Sequence, residues 1–367
     1  TSVFLVVGLC YVACGGFYRL PVPVQPLKAV AAIAIATGLS QSVVSAAGLI
    51  MGLLLLIMAV TGLVGAISKL FPVAVVRGVQ LGVALFLIRA GLSLVSNQQV
   101  IIGGDTATVT MASLSVPVGW LLAAGWGAVL IVCLRNRKVP AALVLLLGGV
   151  LVGGLWGSFS GLRSLRFGLS LPAVGMPTLA DLGIAFVVLV IPQIPLTLGN
   201  AIYATADAAA QYFGKKGERV KPRALATTMG IANVGAGLLG AMPVCHGSGG
   251  LTAHYRLGAR TGMATITLGL LLLALALFFH GSAMPVLSLI PYSVLGVLVL
   301  FVGVQHGLLA RNVRGRSDIL VCVLTGLVGL ITGNLAWGFA AGIVLYHVLR
   351  VWARRRERLL RGAENKA

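Results

Sequence analysis

The chain is a succession of apolar runs, most of them about as long as a lipid bilayer is thick. Of its 367 residues, 59% are hydrophobic and only 9% are charged, and the mean hydropathy is +1.05. A membrane-spanning helix needs about 20 mainly apolar residues, and soluble domains of this length do not have such a composition. Because lipid cannot satisfy backbone N–H and C=O groups, each span has to be a helix. The sequence therefore predicts an all-α polytopic protein embedded in a lipid bilayer.

The apolar runs predict roughly 13 spans, which divide into two halves. Spans of the first half are expected near 1–16, 24–39, 41–59, 73–96, 117–134 and 139–157. Those of the second half are expected near 182–212 (broken at its prolines), 223–241, 247–258 (half-length), 261–280, 286–309, 318–333 and 335–352. The predicted domains are a first repeat at 1–157, a connecting loop at 158–178, a second repeat at 179–353 and a basic tail at 354–367.

Two of the runs are interrupted by short motifs rich in proline and glycine. One is Pro23 to Lys28, with the sequence PVQPLK, and the other is Pro243 to Gly250, with the sequence PVCHGSGG. Such backbone survives at membrane depth only where protein buries it or a water-filled cavity hydrates it. A matched pair of broken segments in the two halves of a membrane protein is typical of the central site of a secondary transporter.

The two motifs also indicate that the halves are repeats. Pro72 follows Pro23 after 49 residues, and Pro291 follows Pro243 after 48. An odd number of spans in each unit turns the second copy upside down, so a seven-helix unit predicts two inverted repeats. Two such units need one helix more than the runs provide, and we expect the missing helix to be the first.

The net charge of +20 comes from short basic clusters between the spans. These clusters, which the span count places on one side, lie at 135–138, 215–223, 256–260, 311–316 and 350–361. By the positive-inside rule that side, with the C-terminus, is cytoplasmic, in what we expect to be a bacterial inner (plasma) membrane. The same pattern excludes nucleic acid as a partner. Arg163 and Arg166, in the central loop, do not follow it.

Enzyme and metal chemistry have no recognisable residues in this chain. The five cysteines are scattered and odd in number, which indicates neither a disulfide framework nor a zinc site. No His-Glu-x-x-His motif, nucleophile elbow or Walker sequence occurs. We therefore expect no catalytic residues, no metal and no cofactor.

Each proline- and glycine-rich motif opens a short helix whose N-terminus should face the membrane midplane. A helix N-terminus carries roughly half a positive charge and several unpaired N–H donors. Two facing termini offer roughly +1, which suits an anion and leaves about one charge of a dianion uncompensated. Gly247, Ser248 and Gly249 would let backbone N–H groups approach ligand oxygens closely. The alternative is that these glycines serve only close helix packing.

Two basic side chains lie beside these predicted termini. Lys28 opposes the helix dipole and is costly in lipid, and a bound anion would relieve both penalties. The alternatives are a lysine that reaches the headgroups or one that pairs with a carboxylate. His246 adjoins the glycine run, where its protonation would add positive charge. Placement at the membrane interface is expected for the remaining histidines, which are His254, His280, His306 and His347.

A polar stripe follows Pro192 in the second half. Steps of four, three, seven and four residues put its members on one helical face, which in lipid points at the bundle interior or a cavity. The members are Gln193, Thr197, Asn200, Asp207 and Gln211. The first three offer donors that could discriminate an oxyanion. Asp207 is a candidate proton or cation site, and the alternative is a salt bridge near the cytoplasmic end.

Three long motifs, found in order, carry a resemblance to a known family. They are Pro23 to Ala29 (PVQPLKA), Pro192 to Asn200 (PQIPLTLGN) and Met242 to Leu251 (MPVCHGSGGL). On these motifs the chain resembles the molybdate transporter family, which is related to the SulP sulfate permeases. The resemblance implies two inverted seven-helix repeats, divided into a core and a gate domain, with the substrate between the third and tenth helices. Homodimers through the gate domain are common in this architecture, and a homodimer is expected by that analogy.

The resemblance also implies a set of substrate-binding residues, one group from each motif. They are Gln25, Pro26 and Lys28, then Gln193, Thr197 and Asn200, then His246, Gly247, Ser248 and Gly249. Two departures from the family matter. The family's first helix, with its Gly-Asp-Leu-Gly-like stretch, is not visible, so the chain is truncated or that part of the site is altered. Only a basic tail follows the last span, where SulP permeases usually carry a STAS domain, and this agrees with the molybdate branch.

The sequence thus predicts a secondary active importer of molybdate with elevator-like alternating access. Proton symport through Asp207 or His246 is a hypothesis. Sulfate, or oxyanions in general including tungstate, is the alternative substrate, and an anion channel of the same fold is the alternative class. A nucleobase permease should have an acid close to its substrate, whereas Asp207 lies about two turns beyond Asn200. A membrane enzyme is the least favoured interpretation.

Overall fold

A computed structural model of the chain describes residues 2–68, 71–111, 114–135, 139, 141–157, 168, 176–279 and 288–364. The helices of the first half are α1 (Ser2–Tyr18), α2 (Lys28–Thr37), α3 (Gln41–Val60), α4 (Leu63–Ser68), α5 (Val73–Val95), α6 (Val118–Arg135) and α7 (Ala141–Gly157). Those of the second half are α8 (Leu179–Ile184), α9 (Ile191–Leu196), α10 (Thr205–Phe213), α11 (Pro222–Leu238), α12 (Ser248–Arg256), α13 (Gly262–Phe278), α14 (Tyr292–Gly307), α15 (Arg316–Thr332) and α16 (Leu335–Glu364). The predictions made for Arg163, Arg166 and His280 lie outside the described residues.

Two pairs of short strands complete the described elements. β1 (Gln25–Pro26) pairs antiparallel with β4 (Val244–Cys245), and β2 (Thr108–Met111) pairs with β3 (Leu114–Pro117). Single 3₁₀ turns follow α10 at Gly214–Arg219 and α14 at Leu308–Asn312. The chain is therefore almost entirely helical where it is described.

The predicted spans agree with these helices, since each span overlaps at least one helix over most of its length. Within the described ranges, six helices are long and apolar enough to cross a membrane, and Ser2–Tyr18, Ala141–Trp156 and Gly262–Phe278 are shorter but equally apolar. The last helix continues to Glu364, beyond the predicted end of the span at 352, because the basic tail consists largely of strong helix formers. The prediction of an all-α integral membrane protein is confirmed.

The closest helix pairs reveal how the two halves are related. α1 packs along α13, α3 packs along α11, and α5 packs along α14. By their order around the two motifs, α1, α3 and α5 of the first repeat correspond to α11, α13 and α14 of the second. The α1–α13 pair then becomes the α11–α3 pair, and the α5–α14 pair maps onto itself. This exchange is what two copies related by a two-fold axis produce, and it agrees with inverted repeats.

Small residues allow these pairs to pack closely. In the α1–α13 pair, a side chain on Gly262 would collide with the backbone carbonyl of Gly15. In the α3–α11 pair, a Cβ on Gly52 would lie 2.8 Å from the carbonyl oxygen of Gly230. Since lipid supplies no hydrophobic drive for helices to associate, such close backbone approach is how membrane helices gain contact energy.

One segment differs from its prediction. The stretch 182–212 is not broken, because α8, a π-helix at Ala185–Val190, α9, a second π-helix at Thr197–Ala204, and α10 follow one another without interruption. Proline lacks an N–H donor, and its ring clashes with the carbonyl four residues earlier. The wider π turns on both sides of α9 accommodate Pro192 and Pro195, so the prolines change the winding of the helix instead of ending it.

The helices form two groups that differ in their partners. One group contains α1 to α3 and α8 to α13, which enclose the largest buried hydrophobic cluster. The other contains α5 to α7 and α14 to α16, which enclose two smaller clusters. The groups meet where α5 contacts the π-helix Thr197–Ala204, where α14 contacts α12, and where α16 contacts α9. Both short helices that follow the β1 and β4 strands, α2 and α12, belong to the first group.

Candidate substrate site at two half-helices

The site is organised by the two-stranded ribbon of β1 and β4. Gln25 lies opposite Cys245 and Pro26 opposite Val244, and the Leu27 N–H donates to the Pro243 carbonyl at 2.9 Å. This pairing satisfies backbone groups that lipid would leave unpaired. Each strand runs directly into a half-helix, α2 at Lys28 and α12 at Ser248. The two helix N-termini therefore begin side by side.

The N-terminus of α12 is open. Gly247 precedes its first residue, and within the described parts of the chain no side chain caps it. Ser248 and Gly249, the first two residues of the helix, are buried. The Gln25 amide lies so close to the Gly247 Cα that any side chain there would collide with it. The Gln25 Nε2 is itself buried without a hydrogen-bond partner in the described structure, which leaves a spare donor beside the helix terminus.

The N-terminus of α2 is capped from another helix. Gln193 of α9 accepts a hydrogen bond through Oε1 from the Ala29 N–H at 3.0 Å. Its Nε2 donates to the Thr197 hydroxyl at 3.1 Å, which fixes the orientation of the amide. Both side chains are buried. The π turn that follows α9 thus brings the polar stripe onto the half-helix that the first repeat provides.

Lys28 is a positive charge without a counterion in the described part of the chain. Its side chain is exposed, whereas Gln193, Ser248 and His306 nearby are buried. It lies close enough to Cys245 and His306 to act on both electrostatically. Within the described ranges the ion pair that forms is Arg77 with Asp207, so pairing with a carboxylate does not account for Lys28, and a side chain that reaches the headgroups stays the alternative.

Ser248 links α12 to two other helices. Its hydroxyl donates to Asn200 Oδ1 at 2.6 Å, and its oxygen lies 3.2 Å from His306 Nε2. The other ring nitrogen of His306 lies 2.7 Å from the Thr252 hydroxyl, one turn further along α12. The imidazole of His306 is completely buried against α12, a contact that its predicted place at the membrane interface did not include. The sequence did contain an indication of this role, because an ionisable residue inside an apolar span is a candidate functional residue.

His246 faces away from this group. Its Nδ1 lies 2.7 Å from the Pro23 carbonyl, and its Nε2 lies 2.8 Å from the Thr228 hydroxyl. Since a carbonyl only accepts, Nδ1 carries the hydrogen. The ring also meets Tyr18 edge-on at 5.9 Å. His246 therefore braces the ribbon against α1 and α11, a role that Asn233 shares by accepting from the Val244 N–H at 2.6 Å.

Asp207 is held by two residues of α5 and by one residue of its own helix, α10. Arg77 forms an ion pair with it, and the amides of Gln80 and Gln211 donate to the same oxygen at 3.0 and 2.9 Å. Arg77 also donates to Asn312 Oδ1 at 2.9 Å. This arrangement corresponds to the salt-bridge alternative, and proton coupling through Asp207 stays a prediction. The sequence offered no reason to single out Arg77.

The structure thus brings the three predicted motifs together, although not every residue faces the same point. Around the two helix termini it gathers Gln25, Lys28, Gln193, Asn200, Gly247, Ser248 and Gly249. Thr197 supports Gln193, Pro26 is exposed on the ribbon, and His246 braces it from behind. Three or more His, Cys, Asp or Glu side chains do not gather around a metal-sized space in the described residues. The arrangement offers donors and positive charge, which is what an oxyanion requires.

Similarity to known proteins follows the same residues. A family model described as "Molybdate transporter of MFS superfamily" matches residues 1–87 and 185–305, more than half of the chain and all three motifs. Molybdate transporter 2 of Arabidopsis thaliana is 29% identical over 388 residues, covering 96% of this chain and 81% of that protein. Molybdate transporter 1 of the same plant is 29% identical over 379 residues, covering 95% and 81%.

Among solved structures, the transmembrane domain of a cyanobacterium bicarbonate transporter, BicA, has the same fold. The TM-score is 0.57 at 16% sequence identity, and the match covers 92% of this chain and 89% of that one. The description of the family model refers to the MFS superfamily, in which two six-helix halves are parallel repeats. The exchange of α1–α13 with α11–α3 requires a two-fold relation between the halves, and the fold shared with the BicA transmembrane domain is one of inverted repeats.

Proposed function

The chain belongs to the molybdate transporter family, and from that premise we propose that it carries molybdate across the membrane by secondary transport. The oxyanion is held at the paired N-termini of α2 and α12. The observation that carries the proposal is the antiparallel pairing of β1 and β4, which starts both half-helices at one place beside Lys28. The names of the relatives and the fold of an anion transporter support anion transport as the general function.

The charge at this place matches a tetrahedral dianion. Two helix N-termini contribute about +1, and the Lys28 ammonium contributes a further positive charge, so the total is about +2. The available hydrogen-bond groups are donors: the backbone N–H groups of Ser248 and Gly249, the Gln25 amide and Lys28. A fully deprotonated oxyanion only accepts hydrogen bonds, so a lining of donors suits it.

Transport itself is proposed to follow from the two helix groups. Both half-helices belong to the group of α1 to α3 and α8 to α13, so the site moves as one body against the α5–α7 and α14–α16 group. This is alternating access of the elevator type. The proposed direction is import, with the basic clusters on the cytoplasmic side of the membrane. The Arg77–Asp207 pair joins the two groups and has to shift when they move.

The test is uptake of radiolabelled molybdate into proteoliposomes that contain the wild type, Lys28→Ala or Lys215→Ala. Lys215 is exposed in the Gly214–Arg219 turn, so its variant removes the same charge away from the site. We expect saturable uptake that tungstate blocks in the wild type and in Lys215→Ala. In Lys28→Ala we expect uptake at least about tenfold lower, because a charged hydrogen-bond donor is lost.

Other outcomes separate the alternatives. If sulfate competed as well as tungstate, the protein would be a general oxyanion carrier, which is the alternative in substrate class. Uptake that never saturates would assign an anion channel. Undiminished uptake in Lys28→Ala would contradict the proposed site, whatever the substrate.

A further inference from the structure

His306 lies one hydrogen bond away from the proposed anion site. Its Nε2 contacts the hydroxyl of Ser248, the first residue of α12, and its Nδ1 contacts the hydroxyl of Thr252. The imidazole is completely buried between α14 and α12. It is thus a titratable group in direct contact with the half-helix, and the transport proposal above gives it no role.

The hydrogen bonds around His306 have a defined direction. Ser248 donates its only hydroxyl hydrogen to Asn200 Oδ1, so its oxygen accepts from His306 Nε2–H. The neutral ring then accepts at Nδ1 from the Thr252 hydroxyl. The Thr252 oxygen in turn accepts from the Tyr212 hydroxyl, 2.9 Å away. A continuous chain of donors therefore runs from Tyr212 through Thr252 and His306 to Ser248.

The far end of this chain lies at the basic face of the molecule. Tyr212 is half-buried in the last turn of α10, directly before the Gly214–Arg219 turn. Its ring stacks on Tyr255 at 4.5 Å, and the Arg256 guanidinium lies 5.4 Å from its centroid. The chain therefore connects a residue near the surface with the terminus of α12.

We infer that His306 is the proton-binding group of the anion site and that the Tyr212–Thr252–His306 chain releases its proton at the basic, cytoplasmic face. The inference rests on the proposed function, since it assumes an oxyanion at the α12 terminus. The imidazolium gives its Nδ1 hydrogen to the Thr252 oxygen, Thr252 passes its own hydrogen to the Tyr212 oxygen, and Tyr212 passes its own to water, which becomes a hydronium ion. Each hydroxyl keeps one hydrogen with its direction reversed, and the imidazolium becomes the neutral imidazole described above.

The surrounding charges make anion and proton binding favour each other. Lys28 is near enough to oppose a second positive charge on His306, and Asp207 is neutralised by Arg77. The other charged groups on elements packed around His306 are all basic: Arg89, Arg135, Arg256 and Arg311. An empty site therefore disfavours the imidazolium, whereas a dianion beside Ser248 and Lys28 favours it. By linkage, protonation of His306 strengthens anion binding by the same factor.

The test uses the full chain in proteoliposomes with radiolabelled molybdate and the membrane potential clamped at zero. Two quantities are measured: exchange of molybdate at equal pH, and accumulation driven by a pH gradient. For one proton per anion, the wild type should accumulate molybdate about tenfold more for each unit of the gradient. His306→Gln should lose this dependence, and its exchange should become weaker but remain measurable, because the anion then binds without the proton. His254→Gln, at a histidine that packs edge-on against Tyr11, is the matched control and should keep both.

A second variant keeps the inference testable if His306→Gln fails to fold. Tyr212→Phe removes the hydroxyl at which the proton leaves and keeps the ring in its stack, so exchange should persist and gradient-driven accumulation should fall about tenfold. Tyr255→Phe, on the stacked partner, is its control. Wild-type exchange without any effect of the gradient, or a full gradient response in either variant, would overturn the inference and leave the transport proposal standing. Absence of exchange in the wild type would instead remove the transport proposal on which it rests.

Discussion

The two half-helices start from the same ribbon, yet their N-termini are built differently. The α2 terminus bears Lys28, and its Ala29 N–H already donates a hydrogen bond to Gln193. At α12 the terminus has no charged residue, begins with Gly247 and Ser248, and has no capping side chain in the described structure. One terminus therefore offers charge, and the other offers free backbone donors.

The comparison shows how inverted repeats acquire an asymmetric site. The repeat determines where the two termini meet, because α2 and α12 occupy equivalent places and β1 pairs with β4 across the two-fold axis. The side chains around the termini come from helices that are not equivalent, α9 for α2 and α14 for α12. We therefore expect substitutions at the α2 terminus to reduce transport by changing the charge of the site. Substitutions at the α12 terminus should reduce it by changing the geometry of the site.

Reversing the charge at α2 should have the largest effect. In Lys28→Glu a carboxylate would repel the oxyanion beside the two termini, and uptake of molybdate should fall by about a hundredfold or more. Lys215→Glu makes the same change in the exposed Gly214–Arg219 turn and should leave uptake within about twofold. Uptake by Lys28→Glu near the wild-type rate would show that α2 does not supply the charge.

Filling the open terminus of α12 should have the next largest effect. A Cβ on Gly249 would lie 3.2 Å from Val83 Cγ1 and 3.3 Å from Leu87 Cδ1, so Gly249→Ala is tight but foldable. The methyl group would hold an oxyanion away from the backbone donors, and the KM for molybdate should rise about tenfold. Gly235→Ala on α11, where a Cβ meets no neighbour, is the control and should leave KM unchanged. An unaltered KM in Gly249→Ala would rule out backbone donors at this position.

The sequence contained what was needed to predict the half-helices. The motifs at Pro23 and Pro243 are local interruptions of apolar runs, and lipid tolerates such interruptions only at a protected site. The shared spacing of the prolines was likewise enough to predict inverted repeats. These features are properties of neighbouring residues, so they can be seen without a structure.

The asymmetry of the site could not be predicted, because it depends on contacts between distant residues. Gln193 is 164 positions from Ala29, which it caps, and His306 is 58 positions from Ser248. No periodicity within one helix encodes such pairs. The proline rule failed at Pro192 and Pro195 for a related reason: widening the helix into π turns keeps its backbone paired, and in lipid this costs less than a break.

Removing the cap of α2 should have a smaller effect than either change above. Gln193→Ala frees the Ala29 N–H and the Thr197 hydroxyl, at a cost of about 1 kcal/mol as for other helix caps. We expect the KM for molybdate to change by about fivefold, the equivalent of that energy. Gln193→Glu would keep an acceptor for Ala29 but add a negative charge, and it should be worse than Gln193→Ala. If the two variants had the same KM, the Gln193 side chain would not face the anion.

The smallest effect is expected at His246, although it adjoins the glycine run. Both of its ring nitrogens are engaged with Pro23 and Thr228, on the side of the ribbon away from Ser248. A glutamine can also donate to a carbonyl and bond a hydroxyl, so His246→Gln should change molybdate uptake by less than about threefold at any pH. The measurement is KM and maximal uptake from pH 5.5 to 8, spanning the ordinary pKa of about 6.5 for histidine. If the pH dependence of uptake changed in His246→Gln but not in His306→Gln, then His246 on the ribbon, and not His306, would be the titrating group. The division between a charged terminus at α2 and an open one at α12 would then have to be redrawn, because the α12 side would also carry a charge.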